Sequence, residues 1–290
     1  MRALLSFETV SGPFARGAEA RLQGVHLEVR PGDALVLVGN RRSGVRRLLR
    51  MALDLEAPTK GRIARHRPPN FSHWALYMPP QEDWWKDWTA AEFARWLWGA
   101  CGQKVRPREI PRRLQREGFP AALPLARFPR LQRLAFRFFV YLRAGSAILF
   151  AESAPDDLPE DLTERLHRWC SGHLEAGGSL VFFLQNRSPD PLLRALHPEA
   201  LYFTAGRLVH RGFLAELEKT IRLSEFWLHG VEREDFADLP VWRLSPDPEG
   251  WRVLLRASDA QRVARILEDR GAHLLREAHQ EVLLAEVLEL

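Results

Sequence analysis

Apolar and polar positions alternate in blocks along the chain, and each block predicts an element. Val25 to Val29 alternates inward and outward residues and stops at Arg30-Pro31-Gly32-Asp33, a turn signal. Ala34 to Val38 is an unbroken apolar run, the pattern of a strand buried on both faces of a sheet. A polar loop follows from Gly39 to Gly44. Val45, Leu48, Leu49, Ala52 and Leu53 then recur at helical spacing. Ala147 to Ala151 and Leu180 to Leu184 are two further buried-strand runs. Between them, Leu158 to Leu174 reads as a helix that stops near Gly177-Gly178. The alternation predicts an α/β domain with a mainly parallel sheet. Leu201 to Phe203 and Arg207 to His210 flank Thr204-Ala205-Gly206 and predict an antiparallel hairpin.

Residues 89–143 have helical spacing interrupted at Pro107, Pro111, Pro120, Pro124 and Pro129, which predicts a helical insertion. The texture changes again after Ile221. Phe226 to Val231, Trp242 to Leu244 and Trp251 to Arg256 predict short strands, and Pro246 to Gly250 a turn between the last two. Asp259 to Arg270 predicts an amphipathic helix with Gly271 past its end. The expected organisation is a domain over 1–220 with its helical part at 89–143, and a small α+β domain over 221–290.

The composition is that of a globular protein, with 46% apolar and 27% charged residues. The apolar runs are too short to cross a bilayer, and with Met-Arg-Ala-Leu-Leu at the start no secretory signal is expected. Cys101 and Cys170 lack metal-ligand spacing, and the ten histidines are scattered singly, so no metal site is expected. The net charge of +5 comes almost wholly from arginine and is spread over the chain. That balance favours acidic partners, although nucleic acid is not expected to be the main one.

Six segments in fixed order resemble the motifs of ABC-type ATPases. Leu35 to Arg50 is similar to the phosphate loop and its helix, and Leu55 to Ile63 to the stretch that follows. Tyr77 to Gln81 resembles the Q-loop, and Gln132 to Phe136 the helix after the signature motif. Ala147 to Asp157 resembles the Walker B strand and D-loop, and Ser179 to Asn186 the strand ending in the switch histidine. The resemblance covers residues 1–215 and implies a P-loop fold of mainly parallel sheet with an antiparallel part. Residues beyond 221 resemble the C-terminal extension of exporter-type ATPases that work with separate membrane subunits. The resemblance also implies partners: a membrane permease, and a second ABC ATPase or a second copy of this chain. It implies a cytoplasmic location on the inner face of the cell membrane.

The departures from the family pattern bear on activity. The phosphate loop requires Gly-x-x-x-x-Gly-Lys-Ser/Thr, in which backbone N–H groups, the lysine and the hydroxyl hold phosphates and Mg²⁺. Gly39 and Gly44 keep the flanking glycines, with Asn40, Arg41, Arg42 and Ser43 between them. Val45 stands at the lysine position, Arg46 at the hydroxyl position and Arg42 at an inner glycine. Ala151-Glu152 stands where the family has Asp-Glu. Gln185 stands at the switch histidine. Arg127, Phe128, Pro129 and Arg130 lie over the signature, where bulk and a missing N–H replace two glycines. Losing one stabilising donor in such a site costs about 3 kcal/mol of barrier. The expectation is a remnant site with Glu152 as its surviving carboxylate, no required cofactor, and ATP–Mg²⁺ held weakly.

Two other readings of the same residues stay open. Arg46 or Arg47 could take over phosphate binding in an unorthodox ATPase. The arginine-rich loop could instead bind nucleic acid on an ABC scaffold. Phe14 stands where the family stacks an aromatic on adenine, and Gln81 at the Q-loop glutamine. Trp84, Trp85 and Trp88 cluster after it, and the resemblance places them toward the permease. Tryptophan is enriched at interface hot spots.

Overall fold

The computed structural model describes residues 2–12, 21–39, 43–80, 85–152, 158–184, 191–204, 206–214, 220–237 and 239–283. The chain forms two compact units, Met1–Ala215 and Glu216–Leu290.

In the first unit a six-stranded sheet has the order β5-β6-β7-β3-β8-β9. Its strands are β3 (Ala34–Val38), β5 (His73–Met78), β6 (Ser146–Ala151), β7 (Ser179–Leu184), β8 (Glu199–Thr204) and β9 (Arg207–Phe213). All neighbours run parallel except β8 and β9, the predicted hairpin. Every residue of β6 and β7 is buried, which explains their unbroken apolar sequence. Alternate residues of the sheet, including Leu35, Leu37, Ile148, Phe150, Val181 and Phe183, join one core. That core also takes Val45, Leu48 and Leu49 of α1 (Val45–Ala52). Its other wall comes from an antiparallel sheet of order β2-β1-β4, formed by β1 (Leu5–Ser11), β2 (Val25–Val29) and β4 (Lys60–Arg65). On the opposite sheet face Phe182 meets Phe138, with ring centroids 6.3 Å apart.

The helical part contains α2 (Ala90–Ala100), α3 (Glu109–Arg116) and α4 (Arg130–Leu142). A capping box between Thr89 and Glu92 starts α2. An aromatic cluster holds these helices and α5 (Glu160–Glu175) together: Phe119 lies against Phe136, Phe139 and Trp169. Trp98 donates its indole N–H to the Val140 carbonyl at 2.9 Å, so a buried ring keeps its polar atom satisfied. A short helix, α6 (Pro191–Leu196), precedes β8. Among the described residues no helix is long and apolar enough to cross a membrane. Cys101 and Cys170 are buried, and neither is joined in a disulfide among the described residues.

The second unit is an antiparallel sheet of order β11-β12-β10-β13. Its strands are β10 (Thr220–His229), β11 (Val241–Asp247), β12 (Gly250–Arg256) and β13 (His273–Leu283). Helix α7 (Ala257–Asp269) lays Ala260, Val263 and Leu267 against Phe226, Leu228, Val253 and Leu255. Strand β13 is not signalled by the hydrophobic pattern. His273 to Glu277 is nearly all exposed, and only pairing with β10 makes it a strand.

His173 of α5 sits buried under Phe71, ring centroids 6.0 Å apart, against the glycine surface of Gly178. Burial pulls its pKa from 6.5 down to about 4, outweighing a hydrogen bond with the Ser179 backbone that raises it. The folded protein therefore holds this imidazole neutral, whereas the unfolded chain protonates it below its ordinary pKa. The contribution to stability is complete above pH 6.5 and is lost as pH falls toward 4, by an amount on the order of 3 kcal/mol. His173→Phe should remove this part of the pH dependence, read as a smaller drop in melting temperature between pH 7 and pH 5.

Candidate functional site

Strands β3, β6 and β7 are parallel, so their C-terminal ends meet at one edge of the sheet. The segments that leave this edge are the ones that resemble nucleotide-site motifs. Gly39 leaves β3 and donates its N–H to the Leu184 carbonyl at the end of β7, 3.1 Å away. A side chain at Gly39 would collide with the Ser43 side chain, which requires glycine at this close approach. Ser43 is fully buried, and its carbonyl accepts from Gly206 N–H at 3.0 Å. Gly44 turns the chain into α1 in the left-handed region, at φ 86°.

The first residues of α1 then point three ways, because successive helix positions are about 100° apart. Val45 is buried in the core cluster. Arg46 reaches across the sheet edge to Glu152, with Nη2 3.6 Å from the carboxylate. Arg47 is buried and meets Glu56 at 2.9 Å, and Arg50 meets the other oxygen of Glu56 at 3.0 Å. The Arg47 guanidinium is thus engaged with a carboxylate after the helix.

Glu152 follows β6 and is held by its N–H to the Met78 carbonyl at 3.2 Å. Its side chain is only 11% exposed. Phe14, Asn40, Arg41, Arg42, Gln81, Trp84 and Gln185 lie outside the described residues. Among the described residues no group of His, Cys, Asp or Glu could hold a metal ion.

The signature region differs from expectation in one respect. Leu125–Arg127 forms a 3-10 turn whose N–H groups bond to the Trp85–Trp88 segment, Leu125 to the Trp88 carbonyl and Ala126 to the Lys86 carbonyl. Phe128 is buried edge-on against Phe136, centroids 5.7 Å apart, so its bulk is turned inward and does not obstruct the surface. Pro129 occupies the N-cap of α4 and supplies neither an N–H nor a side-chain cap. Arg127 and Arg130 are exposed beside it.

The tryptophans divide as well. Trp85 is fully buried against Phe93 at 4.8 Å, so the expectation that it faces a partner is corrected: its ring completes the helical core. Trp88 is half-buried and meets Trp96 edge-on at 5.9 Å, and Trp96 is 43% exposed.

Sequence reasoning did not find Arg137. It lies in the apolar stretch of α4, is 5% exposed, and donates to the carbonyls of Pro79 and Pro80, immediately before the Q-loop position. Its guanidinium lies 6.0 Å from the Trp85 ring. The available signal is a lone cation in Leu134-Ala135-Phe136-Arg137-Phe138-Phe139, since a buried arginine requires acceptors.

No protein-family model matches the chain. It is 27% identical over 188 residues to the cytochrome c biogenesis ATP-binding export protein CcmA of Hyphomonas neptunium, spanning 61% of this chain and 88% of that protein. Among solved structures it is similar to cbiO1 from Clostridium perfringens, part of the ABC transporter complex cbiONQ. The TM-score is 0.59 at 14% identity, over 75% of this chain and 91% of that one. It is also similar to MJ1267, an ATP-binding cassette of an ABC transporter in its ADP conformation. There the TM-score is 0.56 at 13% identity, over 73% and 92%. The chain therefore has the fold of the ATP-binding subunits of ABC transporters. By sequence the chain is similar to CcmA.

Three outcomes test this geometry. Glu56→Ala removes a carboxylate shared by two guanidiniums, one of them buried, and should cost about 3 kcal/mol in denaturant unfolding. Arg47→Leu keeps the Arg50 pair and places an apolar side chain in the buried position, so it should cost clearly less. Arg137→Leu should expose Trp85 to quencher, because the Pro79 and Pro80 carbonyls lose their donor and the segment before Gln81 loosens.

Proposed function

We propose that this chain is a non-hydrolysing ABC-type subunit that pairs with a membrane permease, together with a second ABC ATPase or a second copy of itself. The observation behind this reading is the contact between Arg46 and Glu152 at 3.6 Å. In a working site the hydroxyl position and the Walker B aspartate hold Mg²⁺, while the following glutamate acts on water. Here a guanidinium replaces the hydroxyl, Ala151 replaces the aspartate, and the remaining carboxylate is paired with the guanidinium. A guanidinium donates and cannot ligate a metal. The residues present do not fit Mg²⁺.

Val45 supports the same reading, since it adds no charge for a phosphate and lies in the core. Arg47, the other candidate for an unorthodox phosphate ligand, is committed to Glu56. A structural or regulatory role on a permease follows from the scaffold being intact while its chemistry is altered. The similarity to an export protein supports a partner among membrane transporters.

Calorimetry with ATP, with and without Mg²⁺, tests this. The expected result is that Mg²⁺ does not strengthen binding and that the purified chain does not turn over ATP. The triple variant Val45→Lys, Arg46→Ser, Ala151→Asp should acquire Mg²⁺-dependent affinity at least about tenfold above the parent. Low-micromolar, Mg²⁺-dependent binding by the parent, with hydrolysis lost in Glu152→Gln, would refute the proposal. Affinity purification from the native host should recover a permease.

A further inference from the structure

Helix α7 covers one face of the second unit's sheet, and among the described residues of that unit no helix lies on the other. The other face is assembled from alternate residues of four strands, and it is rich in arginine and tryptophan. Trp227 on β10 stands directly opposite Arg252 of β12 and Arg276 of β13. The two guanidiniums flank the indole from opposite sides, 5.4 Å and 4.8 Å from its centroid. One row across three strands thus reads cation, ring, cation, with the charges about 10 Å apart, two strand spacings. Arg256, about 13 Å along β12 from Arg252, lies 5.1 Å from the Trp242 ring. A β-bulge between Val241 and Arg243 lets Trp242 and Arg243 share this face, with Trp242 packing over Leu223 and Leu254.

The face already shows what its guanidiniums bind. Arg252 donates to the carboxylate of Glu225 on the neighbouring strand. Arg276 and Arg243 are exposed and meet no carboxylate among the described residues. A ring beside a guanidinium restrains it without using its N–H groups, which stay able to bind a carboxylate at two points. The same stacking covers the rings. Trp227 is flanked on both sides and Trp242 is met by Arg256, so neither offers a bare face to a nucleobase or an acyl chain. A second copy of this positive face is disfavoured by like-charge repulsion.

We propose that this sheet face is a docking surface for an acidic protein segment, gripped through the guanidinium fork of Arg276 and through the Nη groups that the Nε contact with Glu225 leaves to Arg252. The inference is independent of whether the first unit hydrolyses ATP.

The full chain is titrated with a fluorescent oligoglutamate peptide at low salt, in parallel with a single-stranded oligonucleotide and with phosphatidylglycerol vesicles. The expected result is peptide binding that weakens at least about tenfold in the double variant Arg252→Gln, Arg276→Gln. The control double variant Arg112→Gln, Arg116→Gln removes the same charge from exposed positions on α3 and should weaken it by less than about threefold. Arg276→Lys keeps the charge and loses the fork, and should show an intermediate loss with the fold intact by circular dichroism. The proposal is overturned if the peptide does not bind, if both double variants weaken binding equally, or if Arg276→Lys binds as the parent does. Tighter binding of oligonucleotide or vesicles, lost in the Arg252/Arg276 variant, also overturns it and reassigns the face to that class of partner.

Discussion

Strand β3 is hydrogen-bonded on both edges, to β7 and β8, and its central residues are buried. That double burial sets the rest of the first unit. It forces the polar loop out at one end of the sheet, where β6 and β7 also end, because all three strands run parallel. It starts α1 at a fixed point, with Gly44 in a conformation that other residues resist. Glu152 and Arg46 are far apart in the chain and meet only because both are carried to this edge. An open α/β sheet places its functional loops at the carboxyl ends of its strands for the same reason.

The two units use arginine differently. On α1, Arg46, Arg47 and Arg50 turn to Glu152 and Glu56, so the positive charge of these three is paired within the fold, while Arg41 and Arg42 lie outside the described residues. On the second sheet face of the other unit, arginines lie against tryptophan rings; Arg252 is also paired with Glu225, whereas among the described residues Arg276 is held by its ring alone. A net charge of +5 therefore says little by itself about where an acidic partner docks.

The helical part is held by rings packed on rings, and this decides which tryptophans remain available. Trp85 and Trp98 are consumed by the core, while Trp88 and Trp96 stay at its margin. Arg137 connects this core to the backbone before the Q-loop position through two carbonyls.

Local pattern was enough for the central strands, the hairpin, the helical insertion and α7, because a strand buried on both faces must be apolar throughout and an amphipathic helix must repeat near its own turn. Residue identity alone also raised the expectation that Val45, Arg46 and Ala151 depart from the phosphate-site pattern. Strand β13 was not legible, since its exposed residues carry no alternation and only hydrogen bonds to β10 define it. The direction of side chains was not legible either. That Phe128 turns inward, that Trp85 is core, that Arg137 clamps two carbonyls and that Arg46 finds Glu152 all depend on residues remote in sequence. Periodicity reports which face of an element is apolar. Which charged group lies opposite is decided only when the sheet brings distant segments to a common edge.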